Sequence, residues 1–223
     1  MMQDRPTDDQ LAATIEQLKQ LNTPTLANAL DDLGIDGVML GLNAVAPGLR
    51  CVGRAVTARE ITAPKGSFPV EDFKVGHIIE AAGPGDVVVI DNGGHPVSTW
   101  GGMASYAAKV KGIAGMIVDG ACRDREEIVE FGFPIYARHV VPTPGKTRIR
   151  VEAINETISC GGVRVRPGDI IVADGTGVLC IPVEHAAEVA ALATRYAADD
   201  DQAVKELEKG LSFREALAKF AKI

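Results

Sequence analysis

The sequence predicts an α/β protein with a central mixed sheet, and three observations carry that prediction. Apolar β-branched runs alternate with helical patterns between residues 86 and 140; two strands start from near-identical turns, PGDVVVIDNGG at Pro84–Gly94 and PGDIIVADGTG at Pro167–Gly177; and beyond Pro182 the pattern turns helical. Strands alternating with helices favour parallel pairing under covered faces, and continuous apolar runs suit strands buried on both sides.

The elements follow in order. Leu11, Ile15, Leu18 and Leu21 recur at helical spacing within Asp8–Leu21, and Asn22-Thr23-Pro24 supplies a cap and an N1 proline for a second helix ending at Gly34. Strands are predicted at Arg50–Ile61, Asp86–Asp91, Met116–Asp119, Ile135–Val141, Arg148–Ala153 and Ile170–Ala173, where β-branched residues concentrate. Helices are predicted at Val70–Ala82, Gly101–Lys111 and Arg125–Phe131. The tail reads as Glu184–Lys209 and Ser212–Lys222, the second opened by a Ser212 cap with Glu215 three residues on. Its amphipathic faces suit either the sheet edge or a neighbouring subunit. The repeated Pro-Gly-Asp turns are read as shared strand-starting architecture.

A chain of 223 residues, 46% hydrophobic and 24% charged, suits one domain over 1–223, with an N-terminal helix in 1–21 and a helical tail in 184–223. The net charge of −7 and the 4% aromatic content argue against a nucleic-acid surface. An anionic substrate would therefore need Lys or Arg concentrated locally. Cys51, Cys122, Cys160 and Cys180 stand far apart with no C-x-x-C pair, as reduced core thiols do. The polar start MMQDRPTDDQ and the lack of a long apolar run predict neither signal peptide nor membrane span, and so a cytoplasmic protein.

The segment with most chemistry is GMIVDGACRDREEI, Gly115–Ile128. An apolar strand is predicted to end into Asp119–Asp124, and ligand sites of open α/β sheets lie at such carboxyl ends. Arg123 offers a planar fork for a carboxylate or enolate, and Asp124 a hard oxygen for a divalent ion. The plainer alternative makes Asp124 the N-cap of Arg125–Phe131 and Arg123 its solvated neighbour. Ahead of it, Gly93-Gly94-His95-Pro96 and Trp100-Gly101-Gly102-Met103-Ala104 form a glycine-rich stretch whose helix-start amides suit an anion. His95 is the one histidine in such a loop; His77, His139 and His185 make no i,i+4 pair, which favours oxygen-ligated Mg²⁺ or Mn²⁺ over histidine-bound zinc.

Taken in order, NTPTLANALDDLG, GRAVTARE, PGDVVVIDNGG, WGGMASYAAKVKGIAGMIVDGACRD and RPGDIIVADGTGVLCIP resemble the RraA-like family, which includes the class II 4-hydroxy-4-methyl-2-oxoglutarate and 4-carboxy-4-hydroxy-2-oxoadipate aldolases. The resemblance spans about residues 20–210. It implies a swivelling β/β/α sandwich, assembled as a trimer or hexamer with sites between subunits, that takes a 2-oxo acid and no nucleic acid or membrane. It also implies that Arg123 holds the substrate carboxylate and keto oxygen, that Asp124 binds Mg²⁺ or Mn²⁺, and that amides of Gly101, Gly102, Met103 and Ala104 receive the pyruvyl carboxylate. The implied activity is pyruvate-forming retro-aldol cleavage with oxaloacetate decarboxylation. Two rivals are a regulator that binds a ribonuclease and a sugar-acid enzyme on the same scaffold. Many relatives carry an acid where this chain has Gly102, so its proton path is expected to differ; Asp91 and His95 are nearby in sequence, and Asp199, Asp200 or Asp201 is placed to reach a neighbouring subunit's site.

Overall fold

The computed structural model describes residues 7–220, so the opening residues and the Lys222 end of the predicted tail helix lie outside it. Strands β1 (Val38–Met39), β2 (Asn43–Ala44), β3 (Cys51–Thr62), β4 (Val87–Asp91), β5 (Ser98–Trp100), β6 (Gly115–Cys122), β7 (Ile135–Val140), β8 (Ile149–Ile154), β9 (Ile158–Cys160), β10 (Val163–Val165), β11 (Ile170–Ala173) and β12 (Val178–Ile181) are interleaved with helices. These are α1 (Asp8–Leu18), α2 (Thr23–Asp32), α3 (Val75–Ala81), α4 (Gly102–Val110), α5 (Arg125–Phe131), α6 (Ala186–Glu208) and α7 (Phe213–Lys219).

The predicted α/β class with a mixed sheet and a helical tail is what forms. The sheet runs β1-β12-β11-β3-β4-β6-β7-β2, with β5 beside β6 and β8 beside β3. Its centre, β3-β4-β6-β7, is parallel, and the flanking pairs are antiparallel. Helices α3, α4 and α5 cover one face around Ile78, Ile90, Met116, Val118 and Phe133. The β9–β10 hairpin covers the other around Val89, Ile117 and Tyr136. A third cluster packs α1, α2 and α6 on β11 and β12 through Leu18, Leu26, Val172 and Val189. Each large aliphatic side chain so buried contributes about 1.5–3 kcal/mol, which is why the central strands read as unbroken apolar runs.

The paired turns behave as architecture. Asp86 accepts from Gly83 N at 2.8 Å and Asp169 from Arg166 N at 2.8 Å, across glycines at φ +81° and +87°. At the far ends of the two strands Asp91 accepts from Gly93 N and Asp174 from Thr176 N. Asp174 also takes the Thr23 amide and hydroxyl, so the expected Asn22 cap of α2 is supplied instead by this distant carboxylate.

Other expectations are corrected. The helix predicted over Val70–Ala82 is a short 3₁₀ turn, Val70–Phe73, and then α3, because Lys74 between them sits at φ +26°. The strand predicted to stop at Asp119 continues to Cys122 alongside β7, so Asp119 is a strand residue locked by Arg138 Nε at 2.6 Å and Gly161 N at 2.7 Å. The Ser212–Glu215 capping box forms as predicted. All four cysteines are buried and unbridged, with burial pushing the Cys51 thiol up to about 12. No helix among the described residues is long and apolar enough to cross a membrane.

Candidate functional site

The site lies where β5 and β6 end. These strands run parallel, so Gly101 and Arg123 emerge side by side: the Arg123 amide donates to Trp100 O at 2.9 Å. Beyond β6 the chain must turn at once into α5, and it does so through Asp124 at φ +58°, ψ +44°. Asp tolerates this left-handed region better than most residues, still at a cost of order 1–2 kcal/mol. The kink decides what Asp124 does. It stands at the N-cap position of α5 without making a side-chain cap bond; its Oδ2 accepts from Gly102 N at 3.1 Å, across at the start of α4, and lies 3.4 Å from Arg123 Nε. The carboxylate therefore faces the glycine stretch, and the capping alternative fails.

Gly101 lets the Asp124 carboxylate approach: a Cβ there would lie 2.5 Å from Asp124 Oδ2, so any side chain at 101 would push that carboxylate aside. Helix geometry leaves the amides of Gly102, Met103 and Ala104 without acceptors inside α4. Asp124 takes the first, so of the α4 amides expected to receive a carboxylate those of Met103 and Ala104 remain as donors, and Gly101 lines the cavity beside them. Trp100 is buried beneath, its indole donating to Ser105 Oγ at 3.1 Å.

A cavity of about 250 Å³ opens here, lined among others by Thr99, Gly101, Ala104, Arg123, Asp124 and Lys146. Lys146 was not read from the sequence. It arrives because Ser98 N donates to Thr143 O at 3.0 Å and because Gly145 fits a slot where a Cβ would meet Ser98 O and a Phe73 ring carbon, each at 2.5 Å. Two cations and one carboxylate thus line one cavity in a protein of net charge −7, the local concentration of positive charge an anion needs. A larger hollow of about 540 Å³ lies between α1 and β3; its Arg54 is already engaged by Asp8 and Asp86.

Glu127, three residues after Asp124, is a second residue not singled out in the sequence. On the first turn of α5 it lies over Gly102: a Cβ at 102 would fall 1.7 Å from Glu127 Oε2. A carboxylate thus occupies the space a side chain at 102 would enter. Glu127 is exposed at the side of the cavity rather than in its lining, next to the start of α4; Asp91 closes its own turn and His95 is exposed, and neither lines the cavity nor lies against the first turn of α4. Asp199, Asp200 and Asp201 lie on α6, which packs on α1 and α2, and they do not line this chain's cavity either.

Among the described residues no group of three or more His, Cys, Asp or Glu side chains could cage a metal. A Mg²⁺-type ion needs no such cage, since one or two carboxylates plus waters and substrate oxygens satisfy it. Asp124 fits that pattern: it is part-exposed and held at a cavity rim.

Residues 23–180 match the family model for RraA-like proteins, described as Aldolase/RraA. A candidate 4-hydroxy-4-methyl-2-oxoglutarate aldolase of Halalkalibacterium halodurans is 34% identical over 84% of this chain and 85% of its own length. Protein DlpA of Legionella pneumophila is 31% identical over 81% of this chain, which spans only 29% of DlpA; a 42% identical stretch of Methanocaldococcus jannaschii MJ0644 spans 45% of this chain and 48% of that protein. Among solved structures, an uncharacterized Pseudomonas syringae protein superposes with a TM-score of 0.82 at 29% identity, covering 92% of this chain and 96% of the other. Streptomyces coelicolor RraAS2, described as an unusual member of the RNase ES inhibitor RraA family, superposes at 0.73 with 27% identity, covering 93% and 99%. By sequence match over most of its length and by fold, the chain belongs to the RraA-like family.

Proposed function

We propose that the protein is a divalent-metal-dependent carbon–carbon lyase that cleaves a 4-hydroxy-2-oxo acid to pyruvate and decarboxylates oxaloacetate. The observation that carries this reading is the convergence of Arg123, Lys146 and Asp124 on one cavity beside the first turn of α4. A catalyst of this reaction must hold a carboxylate, steady the enolate left when the C3–C4 bond breaks, and accept the proton of the C4 hydroxyl. Met103 and Ala104 amides with Lys146 suit the carboxylate. Arg123 suits the enolate oxygen, where charge develops. Asp124 would hold Mg²⁺ or Mn²⁺, which when bound polarises the keto oxygen and offsets the enolate's charge. The acid missing at Gly102 is supplied, in this reading, by Glu127, which takes the hydroxyl proton as the bond to C4 breaks.

The exposed face of α4 supports the homo-oligomer, trimer or hexamer, that the resemblance implies. Met103, Tyr106 and Val110 lie on one side of that helix at 80%, 51% and 72% exposure, next to the site, as residues covered by a second copy would.

The test is pyruvate release from a panel of 4-hydroxy-2-oxo acids and from oxaloacetate, with and without Mg²⁺ or Mn²⁺. Pyruvate is expected from both substrate kinds, and chelation should stop it. A protein that releases none under any of these conditions has another function.

Glu127 has its own test. Decarboxylation needs no base for a hydroxyl, so Glu127→Gln should lower retro-aldol turnover by about tenfold while leaving oxaloacetate decarboxylation within about threefold. Equal losses in both rates would make Glu127 a packing residue. Gly102→Asp should displace the Glu127 side chain, the movable partner in that overlap, and rescue Glu127→Gln better than it improves the wild type.

A further inference from the structure

A carboxylate buried without a cation is costly and calls for a reason. Glu60 is one, 4% exposed within β3. Its Oε1 accepts from Thr99 Oγ1 at 2.5 Å and its Oε2 from Asn92 Nδ2 at 2.8 Å, while Asn92 Oδ1 accepts from Thr62 Oγ1 at 2.6 Å. The charged groups on the strands around it do not neutralise it. Arg59, beside it on β3, pairs with Glu152 and Glu156; Arg150 on β8 also pairs with Glu152; Asp91 on β4 adds a like charge. Burial pushes the Glu60 carboxyl up to about 7, against the pull of its two donors.

Its location ties it to the site. The β3–β8 register breaks between Arg59 and Glu60. Thr99 is the middle residue of β5 and lines the cavity, and Trp100, next along, accepts from the Arg123 amide and from Ser98 Oγ before the chain reaches Gly101. The path from Glu60 to Gly101 is thus one hydrogen bond and two residues of chain, and the path to Arg123 is two hydrogen bonds joined through Thr99 and Trp100.

We infer that Glu60 is a positioning residue of the site, holding β5 through Thr99 so that its protonation state sets how well the glycine stretch and Arg123 receive a carboxylate. The neutral carboxyl leaves the loop facing an anion without opposition. Once ionised, its uncompensated charge stands behind β5 and opposes anion binding, so affinity falls as pH rises. The anion half of this rests on the aldolase reading; the coupling of Glu60 to β5 does not.

Trp100 is the only tryptophan in the chain and adjoins Thr99, so intrinsic fluorescence reads β5 directly. Between pH 5.5 and 8.5 the emission of the wild type should shift with a midpoint near 7, and Glu60→Gln should abolish that shift. Thr99→Val, which keeps Glu60 but cuts the link, should abolish it too. Pyruvate titrated in Mg²⁺ buffer should bind the wild type roughly fivefold more weakly at pH 8 than at pH 6, and Glu60→Gln about equally at both. A Trp100 transition absent from the wild type, or unchanged in Glu60→Gln or in Thr99→Val, overturns the inference. If pyruvate binds at no pH, the aldolase reading fails while the fluorescence arm still decides the role of Glu60.

Discussion

Replacing Arg123 with lysine is expected to lower kcat/KM for pyruvate release by about 2–4 kcal/mol, roughly 30- to 900-fold, the size of a lost transition-state donor. The substitution keeps the positive charge and removes the planar fork, which is what lets one side chain meet a carboxylate and an enolate oxygen together. The side chain is 46% exposed and its recorded partner is Asp124 Oδ2 at 3.4 Å. The tie that places the residue is its backbone amide on Trp100 O, which lysine retains. Thermal stability should therefore move by no more than an ordinary surface change, about 0.5 kcal/mol. Steady-state kinetics on oxaloacetate and on a 4-hydroxy-2-oxo acid, with a melting curve on the same sample, check both halves. A variant within twofold of the wild type at unchanged stability would take Arg123 out of the mechanism.

Much of this architecture is legible in the chain because the signals are local. Arg125–Phe131 forms as read, bounded by Asp124 and by Gly132 in the left-handed region. Ile170–Ala173 also forms as read, behind its Pro-Gly-Asp turn. The misses are where local pattern yields to pairing. Ser98–Trp100 is three residues long and becomes a strand only because β6 runs beside it. β9, β10 and β12 are also short, and their partners form them. Arg123 and Asp124 could be singled out because a strand, a turn and a helix succeed one another within one segment. Lys146 and Glu60 could not, since they join Asp124 and Thr99 across 22 and 39 residues of chain; Glu127 stands in the same segment as Asp124, but its approach to Gly102 spans 25 residues. One signal was available for Glu60: in the strand sequence CVGRAVTAREI it stands in alternation with Val56 and Ala58, on the face that proves buried, and an acid on an apolar face marks a built environment.

Asp124→Asn is expected to cost about 4 kcal/mol in kcat/KM, near 10³-fold, and to abolish the response to added Mg²⁺ or Mn²⁺. Asparagine is the informative replacement. At φ +58° alanine would add backbone strain of its own, whereas asparagine tolerates the left-handed region. It also keeps an amide oxygen able to accept from Gly102 N, the 3.1 Å bond that ties the start of α5 to the start of α4. Fold and loop geometry are thus preserved while the charge that attracts a divalent ion is removed. The wild type, stripped by a chelator, should regain its rate on titration with Mg²⁺. The asparagine variant should stay near its floor at every concentration, with a melting temperature within a few degrees of the wild type. The outcome that would sink the metal role is an asparagine variant whose rate climbs with Mg²⁺ along the wild-type curve, because Asp124 would then act on the Gly102 amide and Arg123 alone.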